Sequence, residues 1–134
     1  YMHDRIGFNY RMAESQASLI LKSLGNVEEN IKLRRKNAEL YDILIPEQYK
    51  MPSRDIPWVY DMKVPDNTIV DNLKKKQVNA RYGFKPVSMC APFGVDATST
   101  NAFKLSNHIM YLPVDPYLTH DDITNNVKIL KELL

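Results

Sequence analysis

Apolar side chains recur at steps of three to four residues over the first third of the chain, a spacing that predicts helices. The first helix is expected over residues 12–24, and Gly25 follows it as a stop signal. Its apolar positions include Leu19, Ile20 and Leu24.

A second, longer helix is predicted to begin after Asn26, with Glu29 three residues later as a capping-box partner. Pro46 ends it, because proline removes a backbone donor and clashes with the preceding turn. Five residues are expected on one face of this helix: Val27, Ile31, Ala38, Tyr41 and Ile45.

The period changes from helical spacing to strict alternation after a polar loop at residues 47–55, which indicates a strand. The alternating apolar positions are Ile56, Trp58, Tyr60, Met62 and Val64. One face of this strand is therefore expected to be buried, and Trp58 is predicted to be a core residue.

Shorter elements are predicted from there to the end of the chain. They are a helix after Pro65-Asp66 with the apolar stripe Ile69, Val70 and Leu73, a second strand over residues 78–82, a long loop over 83–100, a helix over 101–110 and a strand near Tyr111-Leu112. Thr119 and Asp122 have the spacing of a capping box for a last helix. Its predicted apolar face is Ile123, Val127, Leu130 and Leu134.

This order of elements predicts an α+β domain, with two long helices followed by a small sheet that helices cover on one face. A chain of 134 residues is expected to form one modest core. Its net charge of +2 gives no reason to expect nucleic acid as the main partner. No stretch is apolar enough for a membrane span, and a single cysteine, Cys90, is typical of a reducing compartment. We therefore expect a cytoplasmic protein.

Several ordered segments resemble one enzyme family. The opening contains His3 and then Gly7-Phe8-Asn9-Tyr10-Arg11-Met12, followed by Gln16-Ala17. Later segments keep the same order: Trp58 and Tyr60, then Val78-Asn79-Ala80-Arg81 with Phe84-Lys85-Pro86-Val87, and finally Leu118-Thr119 with Asp122-Ile123. Together they resemble the DegT/DnrJ/StrS-type sugar aminotransferases, over nearly the whole chain, with perosamine and viosamine synthases as the most similar members.

The resemblance implies a type I fold that binds pyridoxal 5'-phosphate (PLP), in which residues 1–24 end the large domain and residues 25–134 form the small C-terminal domain. It implies transfer of an amino group from an amino acid, typically glutamate, to a nucleotide-linked keto-sugar, in a homodimer with active sites at the subunit interface. The lysine that holds PLP and the aspartate that pairs with its ring nitrogen lie upstream in such enzymes, so the chain alone is expected to be inactive. Catalysis by a lysine of this chain is not expected.

Asn9 and Arg11 are the candidates for cofactor binding. An asparagine amide can donate to a phosphate oxygen, and an arginine offers a planar fork of donors. By resemblance, Asn9 contacts the PLP phosphate of the partner subunit. The alternative is that Asn9 turns or caps the chain and that Arg11 makes a structural ion pair.

Arg81, Phe84 and Lys85 are the candidates for substrate binding. A nucleotide-sugar carries a diphosphate and a flat base, which cations and aromatic rings bind. The alternative is loop packing and exposed charge. Ser88 departs from the family pattern, which often has histidine there. No metal site is predicted, because no histidine has a ligand partner at a useful spacing.

Two other functions remain open at this point. Some relatives of these enzymes are PLP-dependent sugar dehydratases in which histidine replaces the lysine, and the chain could instead be a non-catalytic interaction or regulatory domain that kept the fold. The residue at the lysine position upstream separates the two enzymes.

Overall fold

The computed structural model describes residues 5–7, 11–90 and 100–134. In chain order, the elements are α1 (Glu14–Leu24), α2 (Val27–Leu44), β1 (Val59–Lys63), α3 (Thr68–Lys75), β2 (Arg81–Tyr82), α4 (Asn101–Leu105), β3 (Ile109–Pro113) and α5 (His120–Lys131). Single 3-10 turns lie at Glu47–Tyr49 and Val87–Met89. The α+β class and the element order predicted from the sequence are confirmed.

The three strands form one antiparallel sheet with β3 in the centre. Tyr60 lies opposite Leu112 and Met62 opposite Met110, so these four side chains point to the same face. That face is covered by α2, α3 and α5, which contribute Tyr41, Leu73, Ile123 and Leu130 to the same buried cluster. Helices therefore cover one face of the sheet, and the core lies between them.

The predicted start of the last helix is confirmed by its cap, whereas Leu134, expected on its apolar face, lies beyond the last helical residue, Lys131. The Thr119 hydroxyl accepts from the Asp122 N–H at 3.1 Å, and the Asp122 carboxylate accepts from the Thr119 N–H at 2.8 Å. Ile123, Val127 and Leu130 are buried as predicted. The short helix α3 also buries its predicted stripe of Ile69, Val70 and Leu73.

The prediction that Trp58 is a core residue is wrong. The ladder with β3 begins only at Val59, and Trp58 and Ile56 are 44% and 56% exposed. Pro57 interrupts the run and has no N–H for a ladder bond, so the alternation does not continue back through it. Trp58 lies before the first paired residue, so the alternation of the strand does not direct its side chain into the core.

Two helix predictions need correction. Asn26 makes no side-chain capping bond, so the capping box with Glu29 is wrong. Only Gly25 and Asn26 separate α1 from α2, and at φ −117° and ψ 15° Asn26 lacks the extended backbone that such a cap uses. The helix expected over 101–110 ends at Leu105, because the Ser106 hydroxyl donates to the Phe103 carbonyl and residues from Ile109 onward pair with β1.

The first helix has the predicted position but none of its residues is buried. Leu19, Leu21 and Leu24 are 68%, 72% and 55% exposed. Across the described ranges, no helix combines the length and apolarity required to cross a membrane.

Candidate functional site

The sheet face opposite the helices, called here the helix-free face, carries polar and aromatic side chains. Asp61 of β1, Tyr111 of β3 and Arg81 of β2 lie directly opposite one another in the register, so they form one row across the three strands. Neighbours in such a row have Cβ atoms about 5 Å apart. Successive side chains of a strand point to opposite faces of the sheet. Since Tyr60 and Met62 face the helices, Asp61 and the rest of this row face away from them.

Three aromatic rings gather on the helix-free face and form what we call the ring cluster: Trp58, Phe84 and Tyr111. The Trp58 and Phe84 rings are stacked with centroids 5.9 Å apart and planes at 20°. Tyr111 meets Trp58 at 5.8 Å and Phe84 at 5.7 Å, in tilted and edge-on arrangements. Such geometries are favoured between aromatic rings. Tyr111 is buried beneath the other two rings, which are both about half exposed.

Gly83 fixes where Phe84 leaves the sheet. Its N–H donates to the Ile109 carbonyl at 3.0 Å, and a Cβ at this position would lie 2.9 Å from the same oxygen. Only glycine fits this approach without a shift of the backbone. The next N–H, that of Phe84, donates to the Tyr111 hydroxyl at 3.2 Å. The strand end therefore sets Phe84 against Tyr111.

A cleft of about 230 Å³ opens beside the ring cluster, at the end of the sheet where β1 and β2 begin and β3 ends. Its polar and aromatic lining consists of Arg34, Trp58, Asn79, Arg81, Tyr111 and Asp115. Arg34 Nη1 donates to the Trp58 carbonyl at 3.0 Å, and Asn37 Nδ2 donates to the Asp115 carbonyl at 2.8 Å. These two bonds from α2 hold both backbone walls of the cleft.

Arg54 neutralises the one carboxylate of the cross-strand row. Its Nη2 donates to Asp61 Oδ1 at 2.7 Å, and Nε donates to Oδ2. This paired contact raises the pKa of the Arg54 guanidinium. The side chain of Arg81, at the other end of the row, makes no hydrogen bond or ion pair with the part of the chain that the structure describes. Its positive charge is therefore available to a ligand.

The three predicted substrate residues do not lie together. Arg81 is exposed and lines the cleft, and Phe84 belongs to the ring cluster. Lys85 lies towards the other end of β3, where its Nζ donates to Asn107 Oδ1 at 2.5 Å. The structure thus brings Arg81 and Phe84 to one surface and engages Lys85 with the turn before β3.

The predicted cofactor residues lie before α1. Asn9 is outside the described residues. Arg11 is exposed and makes no hydrogen bond or ion pair with any residue in the described ranges. The structural ion pair considered for Arg11 is thus not formed within these ranges, and contact with a cofactor stays a prediction.

Sequence reasoning missed Trp58, Tyr111 and Arg34 as members of the site. For Tyr111 a signal was present, because it alternates with Met110 and Leu112 and so must face away from the core. Arg34 carried no such signal. It lies in a basic run on a helix, and only the packing of α2 beside β1 brings it to the Trp58 carbonyl.

Relatives were found in three comparisons. GDP-perosamine synthase from Caulobacter vibrioides is 23% identical over 150 aligned positions, which cover 100% of this chain and 40% of the relative. The L-glutamine:2-deoxy-scyllo-inosose aminotransferase from Streptoalloteichus tenebrarius is 33% identical over 72 residues, 48% of this chain and 17% of the relative. This chain therefore spans less than half the length of these curated relatives.

Among solved structures, the PMP form of Spr1654 from Streptococcus pneumoniae superposes with a TM-score of 0.80 at 18% identity, covering 92% of this chain and 35% of that one. This likeness concerns the fold. The family described as DegT/DnrJ/EryC1/StrS aminotransferases matches residues 1–131, which is almost the entire sequence. The chain belongs to the DegT/DnrJ/EryC1/StrS aminotransferase family.

Proposed function

We propose that this chain is the C-terminal part of an enzyme that uses PLP to transfer an amino group from an amino acid to the keto group of a nucleotide-linked sugar. The observation that carries the proposal is the family match over residues 1–131. The exposed Arg81 beside the ring cluster supports a nucleotide-linked substrate, because guanidinium groups and aromatic rings suit a diphosphate and a base.

The residues of this chain fit a supporting role towards PLP. Arg11 is exposed and available to an anion, whereas the lining of the cleft contains arginines and no lysine. We propose that Asn9 and Arg11 hold the phosphate of a PLP bound mainly by upstream residues and the partner subunit of a homodimer. When bound, PLP supplies an electron sink at the substrate carbon. The chain itself supplies phosphate donors and a wall that binds the substrate.

The exposed leucines of α1 support the proposed division into domains. A helix with Leu19, Leu21 and Leu24 on the surface needs a partner beyond the described core. We propose that residues 1–24 pack with the large domain and residues 25–134 form the small one.

The first experiment is to read the coding sequence upstream of Tyr1 and to assay the complete gene product. A lysine at the PLP-binding position, and amino transfer from glutamate or glutamine to a nucleotide-linked keto-sugar, is the expected result. A free keto-cyclitol is the control substrate, since one relative is named for 2-deoxy-scyllo-inosose. Transfer to the cyclitol alone would reject the nucleotide-linked substrate but not amino transfer.

A histidine in place of that lysine, with loss of water from the sugar and no amino transfer, would support the dehydratase alternative. A gene that begins at or near Tyr1 would exclude catalysis by this chain and would favour an interaction or regulatory domain. In either case the 134-residue chain alone is expected to show no absorbance band of bound PLP after dialysis.

The role of Asn9 is tested in the complete gene product by Asn9→Ala, with Asn125→Ala on the exposed side of α5 as the matched control. We expect Asn9→Ala to weaken PLP retention by about tenfold while the thermal midpoint of the apoprotein stays constant. Equal PLP retention in both variants would remove Asn9 from the cofactor site.

A further inference from the structure

The segment that carries Trp58 to the ring cluster, residues 51–58, is called here the strap. It leads from the 3-10 turn after α2 into β1, and Pro57 is its one buried residue. Trp58 itself is exposed and takes no part in the sheet, since pairing with β3 starts at Val59. Apolar burial and sheet pairing therefore leave most of the strap unattached, and its position depends on polar contacts.

Arginine side chains make these polar contacts. Arg35 of α2 holds Asp55 of the strap twice, because Nε donates to the backbone carbonyl at 2.8 Å and Nη2 donates to Oδ1 at 2.9 Å. The preceding residue, Arg34, donates to the Trp58 carbonyl at 3.0 Å. Arg54, within the strap, is paired with the carboxylate of β1. The strap is thus attached by arginines to α2 and to β1.

The contact between Arg35 and Asp55 lies outside the cleft, because neither residue lines it. It holds the chain three residues before Trp58. Pro57 stands between them, and proline has a fixed φ and restricts the residue before it. Few free torsions therefore separate the held Asp55 from Trp58, whose ring stacks with that of Phe84 at a centroid distance of 5.9 Å. A displacement of Asp55 would be passed on to this stack.

We infer that Arg35 is a positioning residue, which sets the Trp58 ring in the ring cluster by holding Asp55 and does not itself touch the substrate. The inference rests on the proposed function, in which the ring cluster belongs to the wall that binds the substrate. The Asp55 side chain is 91% exposed, and an exposed ion pair contributes little to folding. Loss of Arg35 should therefore move Trp58 without unfolding the chain.

The single tryptophan reports the position of the strap, because all tryptophan fluorescence of the 134-residue chain comes from Trp58. In Arg35→Ala we expect emission at longer wavelength, stronger quenching by acrylamide and a partial loss of near-ultraviolet circular dichroism from the stacked rings. The matched control is Lys36→Ala, which removes an exposed charge from the same helix. Lys36 has no hydrogen bond or ion pair with the strap, all of whose residues the structure describes, so its variant should keep the wild-type spectra. Both variants should keep the wild-type thermal midpoint.

Variants of Asp55 show whether Arg35 acts through this contact. Asp55→Ala leaves the bond from Arg35 to the backbone carbonyl, so a smaller spectral change in the same direction is expected. The double variant should equal Arg35→Ala, because the two changes break one shared contact. Asp55→Asn keeps a side-chain oxygen as acceptor and should restore most of the wild-type spectrum. A double variant that changes more than Arg35→Ala would overturn the assignment to this pair.

Kinetics of the complete gene product separate positioning from general damage. We expect Arg35→Ala to lower kcat/KM for the keto-sugar about fivefold and to leave kcat/KM for the amino donor within about twofold, because an amino acid lacks the nucleotide that the proposed function assigns to the ring cluster. Lys36→Ala should change neither value. Equal losses for the two substrates would overturn the inference in favour of a purely structural role, and so would an unchanged Trp58 spectrum in Arg35→Ala.

The two kinds of measurement also distinguish this inference from the proposed function. A wild-type gene product that transfers no amino group would reject the proposed function. The spectra of the 134-residue chain need neither PLP nor substrate, so they would still decide whether Arg35 sets the position of Trp58.

Discussion

The helices α1 and α5 have nearly the same length, 11 and 12 residues, and both carry acidic residues in the first turn and lysine in the last. They differ in whether their large apolar side chains are covered. Ile123 and Leu130 of α5 are completely buried against the sheet and α2, whereas Leu19 and Leu21 of α1 are about 70% exposed. Periodicity therefore reveals that a helix has an apolar side, but only the packing reveals which surface, in this chain or outside it, receives that side.

The largest expected effect is the difference in unfolding free energy lost when a leucine of α5 or of α1 is replaced by alanine. Leu130→Ala should destabilise the 134-residue chain by about 2–5 kcal/mol, because it leaves a cavity in a filled core. Leu21→Ala, the matched change on α1, should stay within about 0.5 kcal/mol, because its side chain is already in water. Denaturant unfolding of both variants measures the difference, and equal losses would mean that α1 has a packing partner within the chain.

Leu21→Ala in the complete gene product tests whether α1 packs with a large domain. If α1 packs with a large domain, Leu21→Ala there should cost at least about 1 kcal/mol more than in the 134-residue chain. An unchanged effect in both contexts would contradict the proposed assignment of residues 1–24.

The second expected effect is a loss of stability at high pH, caused by Tyr41 of α2, which lies in the core. No residue of α1 is buried, so α1 contributes no such effect. Burial raises the pKa of the Tyr41 hydroxyl to about 12, with Asn126 acting in the opposite direction. The folded state keeps the phenol neutral above the unfolded value of about 10, so its contribution is fully present below that pH and is lost as the pH rises towards 12. The loss is at most about 3 kcal/mol.

Tyr41→Phe is the variant that isolates this titration. Unfolding free energies of the wild type and Tyr41→Phe, measured from about pH 9 to 12, should converge or cross as the wild type loses its contribution. Tyr60, whose pKa is also raised by burial, is present in both proteins and cancels in the difference. Parallel curves would show that Tyr41 titrates normally in the folded chain.

The third expected effect is the loss of stability when an N-terminal helix cap is removed. Thr119 of α5 makes both bonds of a capping box, whereas α1 has only one of them, from the Ala13 N–H to Gln16 Oε1 at 3.0 Å. Thr119→Ala should cost about 1 kcal/mol of unfolding free energy. Ala13→Thr should instead slow amide exchange in the first turn of α1 without changing global stability. A global gain from Ala13→Thr would show that α1 unfolds together with the core.

The smallest effect is the response of these caps to acid. Hydrogen bonds from Thr119 lower the pKa of the Asp122 carboxyl, so its contribution is present above the ordinary carboxyl pKa and is lost as the pH falls through the lower folded value. The stability difference between wild type and Asp122→Asn should therefore shrink between about pH 5 and pH 2. Gln16 is uncharged, and Gln16→Ala should show no such dependence.

Helices and strands were predictable where the sequence marks both their apolar face and their ends. Residues 120–131 carry a cap, a stripe of three buried residues and a dipole-compatible charge order, and each of these features points to the same helix. The strand at residues 59–63 was found by its alternation, but its start was not, because alternation alone does not show where pairing with β3 begins. Trp58 was assigned to the core for this reason.

The candidate site was predictable only in part. Arg81 and Phe84 were found by their residue types and by family resemblance, and the structure brings both to the helix-free face. Lys85 looked equivalent to them in the sequence, yet it bonds to Asn107 at the other end of β3. Three residues along a chain that leaves a strand can point to different surfaces, and no local pattern records which neighbour each will meet.

Residue types and their spacing along the chain were enough to predict the order of the elements, the core stripes of α3 and α5 and the family to which the chain belongs. The packing of the folded chain was needed to show that Trp58 and Phe84 cover Tyr111, that Arg34 reaches the Trp58 carbonyl and that α1 has no partner in the described core. These contacts join residues that are 24 to 53 positions apart in the chain, so the register of the sheet and the packing of a helix set their distances, and local propensity does not.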